Sequence, residues 1–262
     1  MLYNSKIVSF IGIVSLFLSC NGNTHDENQP TNPTLTIAVA ANAQFVMKAI
    51  EKAYEKNTGI EVQIVIGSSG KLTAQISQGA PYDLLVAADM KYPNNLYEGG
   101  HATTTPRVYA SGSLVLWTMN EAILLDTTLQ FLLHDTIHKL VIANPKNAPY
   151  GEQAIKAMEH LGIFEKLQSK LVFGESIAQT NQYILTGNCE VGITAKSVVL
   201  APEMAQKGFW IEIPLSSYEL IKQGVIITKY GQSNNQEATK HFYNFLFSEE
   251  GAAIFESYGY LL

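Results

Sequence analysis

Cysteine is almost absent from this 262-residue chain: Cys20 and Cys189 are too few for a disulfide framework. Basic residues are scarce as well. With 17 Lys and Arg against 23 Asp and Glu, the net charge is −6, so no basic stripe exists to neutralise phosphates and a nucleic-acid partner is excluded. For the same reason an anion site here must use local dipoles instead of an overall positive field. The apolar run Ile7 to Leu18 is too short and too early for a spanning helix. No solenoid-period repeat is present. A phosphate-binding Walker loop is ruled out because Val65 and Leu72 stand where it needs Gly and Ser or Thr. No Gly-x-Ser-x-Gly elbow occurs, and Ser68 and Ser69 have no identified base.

What the chain does have is globular composition, 47% hydrophobic and 15% charged, enough for one large domain or two ordinary ones. Its first residues read as a targeting segment. Lys6 gives a positive start, the apolar run follows, and Ser19-Cys20 closes it, which resembles a bacterial lipoprotein signal over 1–20 with Cys20 lipidated. A plain secretory signal with an incidental cysteine is the alternative. Residues 21–33 are polar, carry Pro30 and Pro33, and read as a flexible tether. Cys189 then stands unpaired, just before Val191-Gly192-Ile193, as a buried, inert thiol.

From residue 34 the pattern is strand, helix, strand, helix, strand. Thr34 to Ala40 is a strand, Asn42 sits where an N-cap belongs, and Phe45, Ala49, Ile50, Ala53 and Tyr54 share one helical face ending at Thr58-Gly59. Ile60 to Ile66 is a second strand and Asp83 to Ala87 a third. Between these two strands lies Gly67-Ser68-Ser69-Gly70-Lys71-Leu72, a serine turn opening a helix. Such a turn is an ordinary N-cap, or it offers hydroxyls, free N–H groups and a positive dipole end to an oxyanion. Arg107 to Thr118, broken at Ser111-Gly112-Ser113, marks a crossing into a second lobe, and Gly224 to Thr228 a return. The expected lobes are 34–112 with 225–262, and 113–224. In the second, Asn144 to Gly151 forms a turn before a helix from Glu152 to Leu161, and Ile177 to Leu185 is helical. Four strand ends, near Asn42, Ser69, Tyr150 and Ile177, lead into helix N-termini, two in each lobe. That is the plan of an α/β fold of two mostly parallel sheets with a cleft between them.

Ala38-Val39-Ala40-Ala41-Asn42, Gly67 to Leu72, Gly79-Ala80-Pro81-Tyr82-Asp83-Leu84 through Ala88-Asp89, Asn144-Pro145 with Pro149-Tyr150-Gly151, and Val191-Gly192-Ile193-Thr194 occur in that order. Together they resemble the periplasmic molybdate-binding proteins of ABC importers, a type II solute-binding fold, over nearly all of the chain from Thr34 onward. The resemblance implies capture of molybdate or tungstate by neutral donors: Asn42, Ser69, and the backbone N–H groups of Tyr150 and Ile177. Some members supply a tyrosine hydroxyl where this chain has Ala195, so Ser68 or Thr194 is expected to contribute instead. Taken with the lipoprotein-type signal at Cys20, the resemblance leads to the expectation of a membrane-anchored, exported monomer that faces the periplasm or cell exterior and serves a permease and its ATPase, with no cofactor, no metal bound as a cation and no catalysis. Sulfate, phosphate or a small anionic metabolite is the alternative ligand, and a lipid-anchored hydrolase the remote one.

Other constellations read as structural. His134 and His138 have helical i,i+4 spacing without a third metal ligand and read as a solvated face. Asp83 and Asp89 read as turn caps, Lys71 as a surface charge, and Phe242, Tyr243, Phe245 and Phe247 as packing of a closing helix.

Overall fold

The computed structural model describes residues 33–262; the signal segment, Cys20 and nearly all of the tether lie outside the described residues. The first sheet is built from β1 (Leu35–Ala40), β2 (Val62–Gly67), β3 (Leu84–Val86), β4 (Arg107–Gly112) and β10 (Ile221–Ile227), in the order β2-β1-β3-β10-β4. The second contains β5 (Leu114–Thr118), β6 (Leu140–Ala143), β7 (Leu171–Gly174), β8 (Val191–Ala195) and β9 (Phe209–Glu212), in the order β7-β6-β8-β5-β9. Each has a parallel trio, β2-β1-β3 and β7-β6-β8, extended by two strands that begin with an antiparallel pairing.

Helices cover both faces. They are α1 (Gln44–Thr58), α2 (Ser69–Ser77), α3 (Lys91–Glu98), α4 (Pro149–His160), α5 (Phe164–Leu167), α6 (Ile177–Leu185), α7 (Lys196–Val199), α8 (Lys229–Asn234), α9 (Gln236–Phe245) and α10 (Glu249–Ser257). Double coverage explains why the inner strands read as near-continuous apolar runs. In β1, Leu35, Ile37 and Val39 pack with Ile50, Tyr54, Phe242 and Phe255 on one side, while Ala38 meets Leu72, Leu85 and Leu96 on the other. Around the second sheet, Trp117, Leu140, Ile142, Met158 and Ile184 form a separate core. The aromatics of α9 pack as expected, with Phe242 fully buried and Tyr54 edge-on to it at 4.9 Å.

The chain leaves the first sheet between Gly112 and Leu114, at the expected break, and returns at Ile221. That return is three residues before the expected Gly224, because Ile221 to Gln223 already pair with β4. Helix α4 also starts early, at Pro149, since proline's fixed φ and missing N–H suit a first helical position. The His134–His138 segment is not helical. A 3-10 turn at Gln130–Leu133 ends before it.

Candidate functional site

Four parallel strand ends converge on one small cavity. β1 runs into a 3-10 turn at Ala41–Ala43, β2 into α2, β6 through a turn into α4, and β7 into α6. The wall comprises Ala40, Ala41 and Asn42, then Ser68 and Ser69, then Ala148, Pro149 and Tyr150, with Ile177 and Ala88 completing it. The cavity is about 10 Å³, and every residue lining it is uncharged. The first backbone N–H groups of a helix have no acceptor within it, and its start carries the positive end of the peptide dipoles. A small, half-open pocket bounded by four such starts is suited to an anion.

The two serines differ in role. Ser68 holds the N-cap position of α2, and its side chain makes no capping bond. Its Oγ is buried, lies on the cavity wall and has no hydrogen-bond partner. An unpaired buried hydroxyl costs about 1–3 kcal/mol, so its retention here points to a guest. Ser69 is the first residue of α2, and its Oγ accepts from the Ala88 N–H at 2.9 Å. That contact fixes the oxygen and leaves the hydroxyl hydrogen free to donate.

Asn42 corrects the sequence reading twice. It lies inside the 3-10 turn and makes no capping bond to α1. Its side-chain amide also turns away from ligand duty: Nδ2 donates to Gln223 Oε1 at 2.7 Å and to the Tyr260 hydroxyl at 3.3 Å. Both amide hydrogens are thereby used, because a buried amide must find partners inside the protein. Asn42 lies on the cavity wall, and its carbonyl accepts from Ser197 Oγ at 2.9 Å.

Gln223 is the hub beneath the cavity. Its Oε1 also accepts from the Tyr109 hydroxyl at 2.7 Å, and its Nε2 donates to the Tyr150 hydroxyl at 3.1 Å. Gln223 belongs to the first sheet and Tyr150 to α4 over the second, so this network spans the two. Burial pushes the Tyr109 and Tyr150 hydroxyls well above the ordinary phenol range and that of Tyr260 up to about 12, which keeps all three protonated. Tyr150 thus lies on the cavity wall with its hydroxyl engaged by Gln223.

Ile177 lies on the wall as the first residue of α6. Thr194 does not reach it: its hydroxyl donates to Asn181 Oδ1 at 2.5 Å within the core. Of the two expected substitutes for a tyrosine at position 195, Ser68 is the one placed at the cavity. Gln223 and Tyr260 escaped the sequence reading, although a glutamine inside the apolar run Ile221–Ile227 is a visible anomaly.

The rival chemistries find no support at this wall. Asp83 accepts from the Thr36 N–H at 2.7 Å and Asn235 Nδ2 at 3.0 Å, and Asp89 from the Tyr92 N–H at 3.3 Å. Burial raises the pKa of both carboxyls. Cys189 is buried, and burial likewise raises its thiol pKa. Among the described residues no group of three His, Cys, Asp or Glu side chains could hold a metal ion.

The family profile of bacterial extracellular solute-binding proteins matches residues 35–261. A molybdate-binding protein of Rhodobacter capsulatus is 37% identical over 225 residues, covering 86% of each chain. A putative ABC transporter substrate-binding lipoprotein of Bacillus subtilis is 29% identical over 97% of this chain and 98% of its own. Among solved structures, the periplasmic molybdate-binding protein of Azotobacter vinelandii superposes with a TM-score of 0.82 at 30% identity, covering 87% of this chain and 99% of that one.

Proposed function

The chain belongs to the bacterial extracellular solute-binding protein family, and we propose that it captures molybdate or tungstate and delivers the ion to an ABC importer. The observation that carries this reading is the uncharged cavity bounded by four helix-type starts, with an unpartnered Ser68 hydroxyl on its wall. The donors are the Ser68 and Ser69 hydroxyls and the backbone N–H groups of Asn42, Tyr150 and Ile177.

Neutral donors select for an oxyanion that carries no proton. A protonated phosphate oxygen would set a donor against a donor and leave buried groups unpaired, at about 1–3 kcal/mol. Sulfate is unprotonated too, so its rejection rests on size. A chamber fitted to longer metal–oxygen bonds leaves the smaller ion short of one or two charge-assisted bonds, at about 1.5–3 kcal/mol each. The protein acts by binding and release, without catalysis. Lobe 1 consists of 34–112 and 221–262, lobe 2 of 113–220, and their closure forms the surface that the permease reads. The name of the Bacillus relative supports a lipoprotein, with Cys20 carrying the lipid after removal of the signal and 21–33 tethering a monomer to the membrane.

Calorimetric titration with sodium molybdate tests the donors. Ser68→Ala and Ser69→Ala are each expected to weaken binding by about 1.5–3 kcal/mol, the contribution of a hydrogen bond to a charged group. Unchanged affinity in both variants would overturn the site.

A further inference from the structure

Gly70 follows Ser69 in the first turn of α2, and nothing in its own backbone calls for glycine. Its φ is outside the positive range that excludes other residues, and in a helix glycine is less favourable than alanine by about 1 kcal/mol. The reason lies across the seam between the two sheets. The Gly70 N–H donates to the Asn147 carbonyl at 3.0 Å, in the turn that precedes α4. A Cβ on Gly70 would stand 2.8 Å from Asn147 Cβ, 3.1 Å from Asn147 Cα and 3.1 Å from the Tyr92 hydroxyl. Real carbon contacts do not reach 2.8 Å, so a side chain here would hold α2 off the Asn147 turn.

Two further contacts cross at the same place. Lys71 Nζ pairs with Glu175 Oε1 at 2.8 Å, and the Tyr92 hydroxyl donates to the Lys146 carbonyl at 3.4 Å. The ion pair is exposed on both sides and adds little by itself. The two covalent crossings lie elsewhere, out after Gly112, beside the Tyr150 hydroxyl and Gln223, and back at Ile221, which pairs with Gly112. Rotation about these crossings would leave the Gln223 network near the pivot and draw Gly70 away from Asn147.

We propose that Gly70 is a positioning residue for closure: its missing side chain lets α2 seat on the Asn147 turn and thereby sets how long the anion is held. This rests on the reading of the cavity as an oxyanion site. Gly70 itself need not touch the ion. Its neighbour Ser69 does so, and a separation of α2 from the turn opens the chamber between Ser69 and Ala148.

The test compares the wild-type chain with Gly70→Ala in unligated thermal melts, molybdate calorimetry and stopped-flow dissociation. The unligated melting temperature is expected to stay level or rise, because alanine suits the helix better. Molybdate dissociation is expected to accelerate at least tenfold, with affinity falling at least tenfold. Adding Asn147→Gly removes the opposing Cβ and is expected to recover at least threefold of the lost lifetime. An unligated melting temperature that falls without faster dissociation would mark Gly70 as merely structural and overturn the inference, as would unchanged dissociation. A wild-type chain that gives no heat with any oxyanion would overturn the reading of the cavity instead.

Discussion

Gly151→Ala is expected to abolish measurable molybdate binding and to lower stability by about 3 kcal/mol, the upper range for forcing atoms into packed space. Gly151 is the third residue of α4, where the helix start presses on the end of β6. A Cβ there would lie 1.9 Å from the Ala143 carbonyl oxygen, 2.7 Å from its carbon and 3.1 Å from the Pro145 nitrogen. All three are main-chain atoms, so no side chain can swing aside. The helix must retreat from the strand end and carry the Tyr150 N–H with it. Hydrogen bonds to an ion tolerate only a few tenths of an ångström before they weaken. Thermal melting and calorimetry of the variant check both parts, and binding within threefold of wild type would contradict the placement of Tyr150.

Gln223→Leu is expected to cost about 3–5 kcal/mol, a large share of a typical domain's total stability. Leucine is of broadly similar size, so the main loss is of hydrogen bonds. It strands three buried groups at once: the Asn42 amide N–H at 2.7 Å, the Tyr109 hydroxyl at 2.7 Å and the Tyr150 hydroxyl at 3.1 Å. Each unpaired group carries a penalty of about 1–3 kcal/mol, partly relieved where Tyr260 still accepts from Asn42. Molybdate affinity should fall with stability, since Asn42 and Tyr150 both bound the cavity and both lose an anchor. Denaturant titration reads the first effect and calorimetry the second. A stable variant with wild-type affinity would show that the network neither supports the fold nor places the site.

Much of this was legible in the residues, and the reasons are local ones. Helix α6 occupies Ile177–Leu185 as its periodicity predicted, and the glycine break after Ser111 marked the passage from β4 to β5. The serine turn was visible because the β-branched end of β2 runs directly into Ser68-Ser69-Gly70, which serves a helix start as a cap or an oxyanion as a seat. What failed to show depended on one-residue offsets or on distant partners. Ser68 and Ser69 are adjacent, and only the Ala88 N–H, 19 positions on from Ser69, decides which oxygen is held and which stands unpaired. Asn42 looked like a donor to a ligand because its partners, Gln223 and Tyr260, are 181 and 218 positions away. Proline, tyrosine and glycine in succession suggested a turn at 149–151, whereas the same proline opens α4. Lys71 read as a lone surface charge because Glu175, its partner, lies in the other half of the chain.

The most direct measurement of the central claim is calorimetry of the purified chain against sodium molybdate, tungstate, sulfate and phosphate at neutral pH. Tight binding of molybdate and tungstate, with no heat from sulfate or phosphate, is the predicted result. Sulfate or phosphate binding as tightly as molybdate would contradict the account of selection by size and protonation, and silence with all four would contradict the oxyanion site itself.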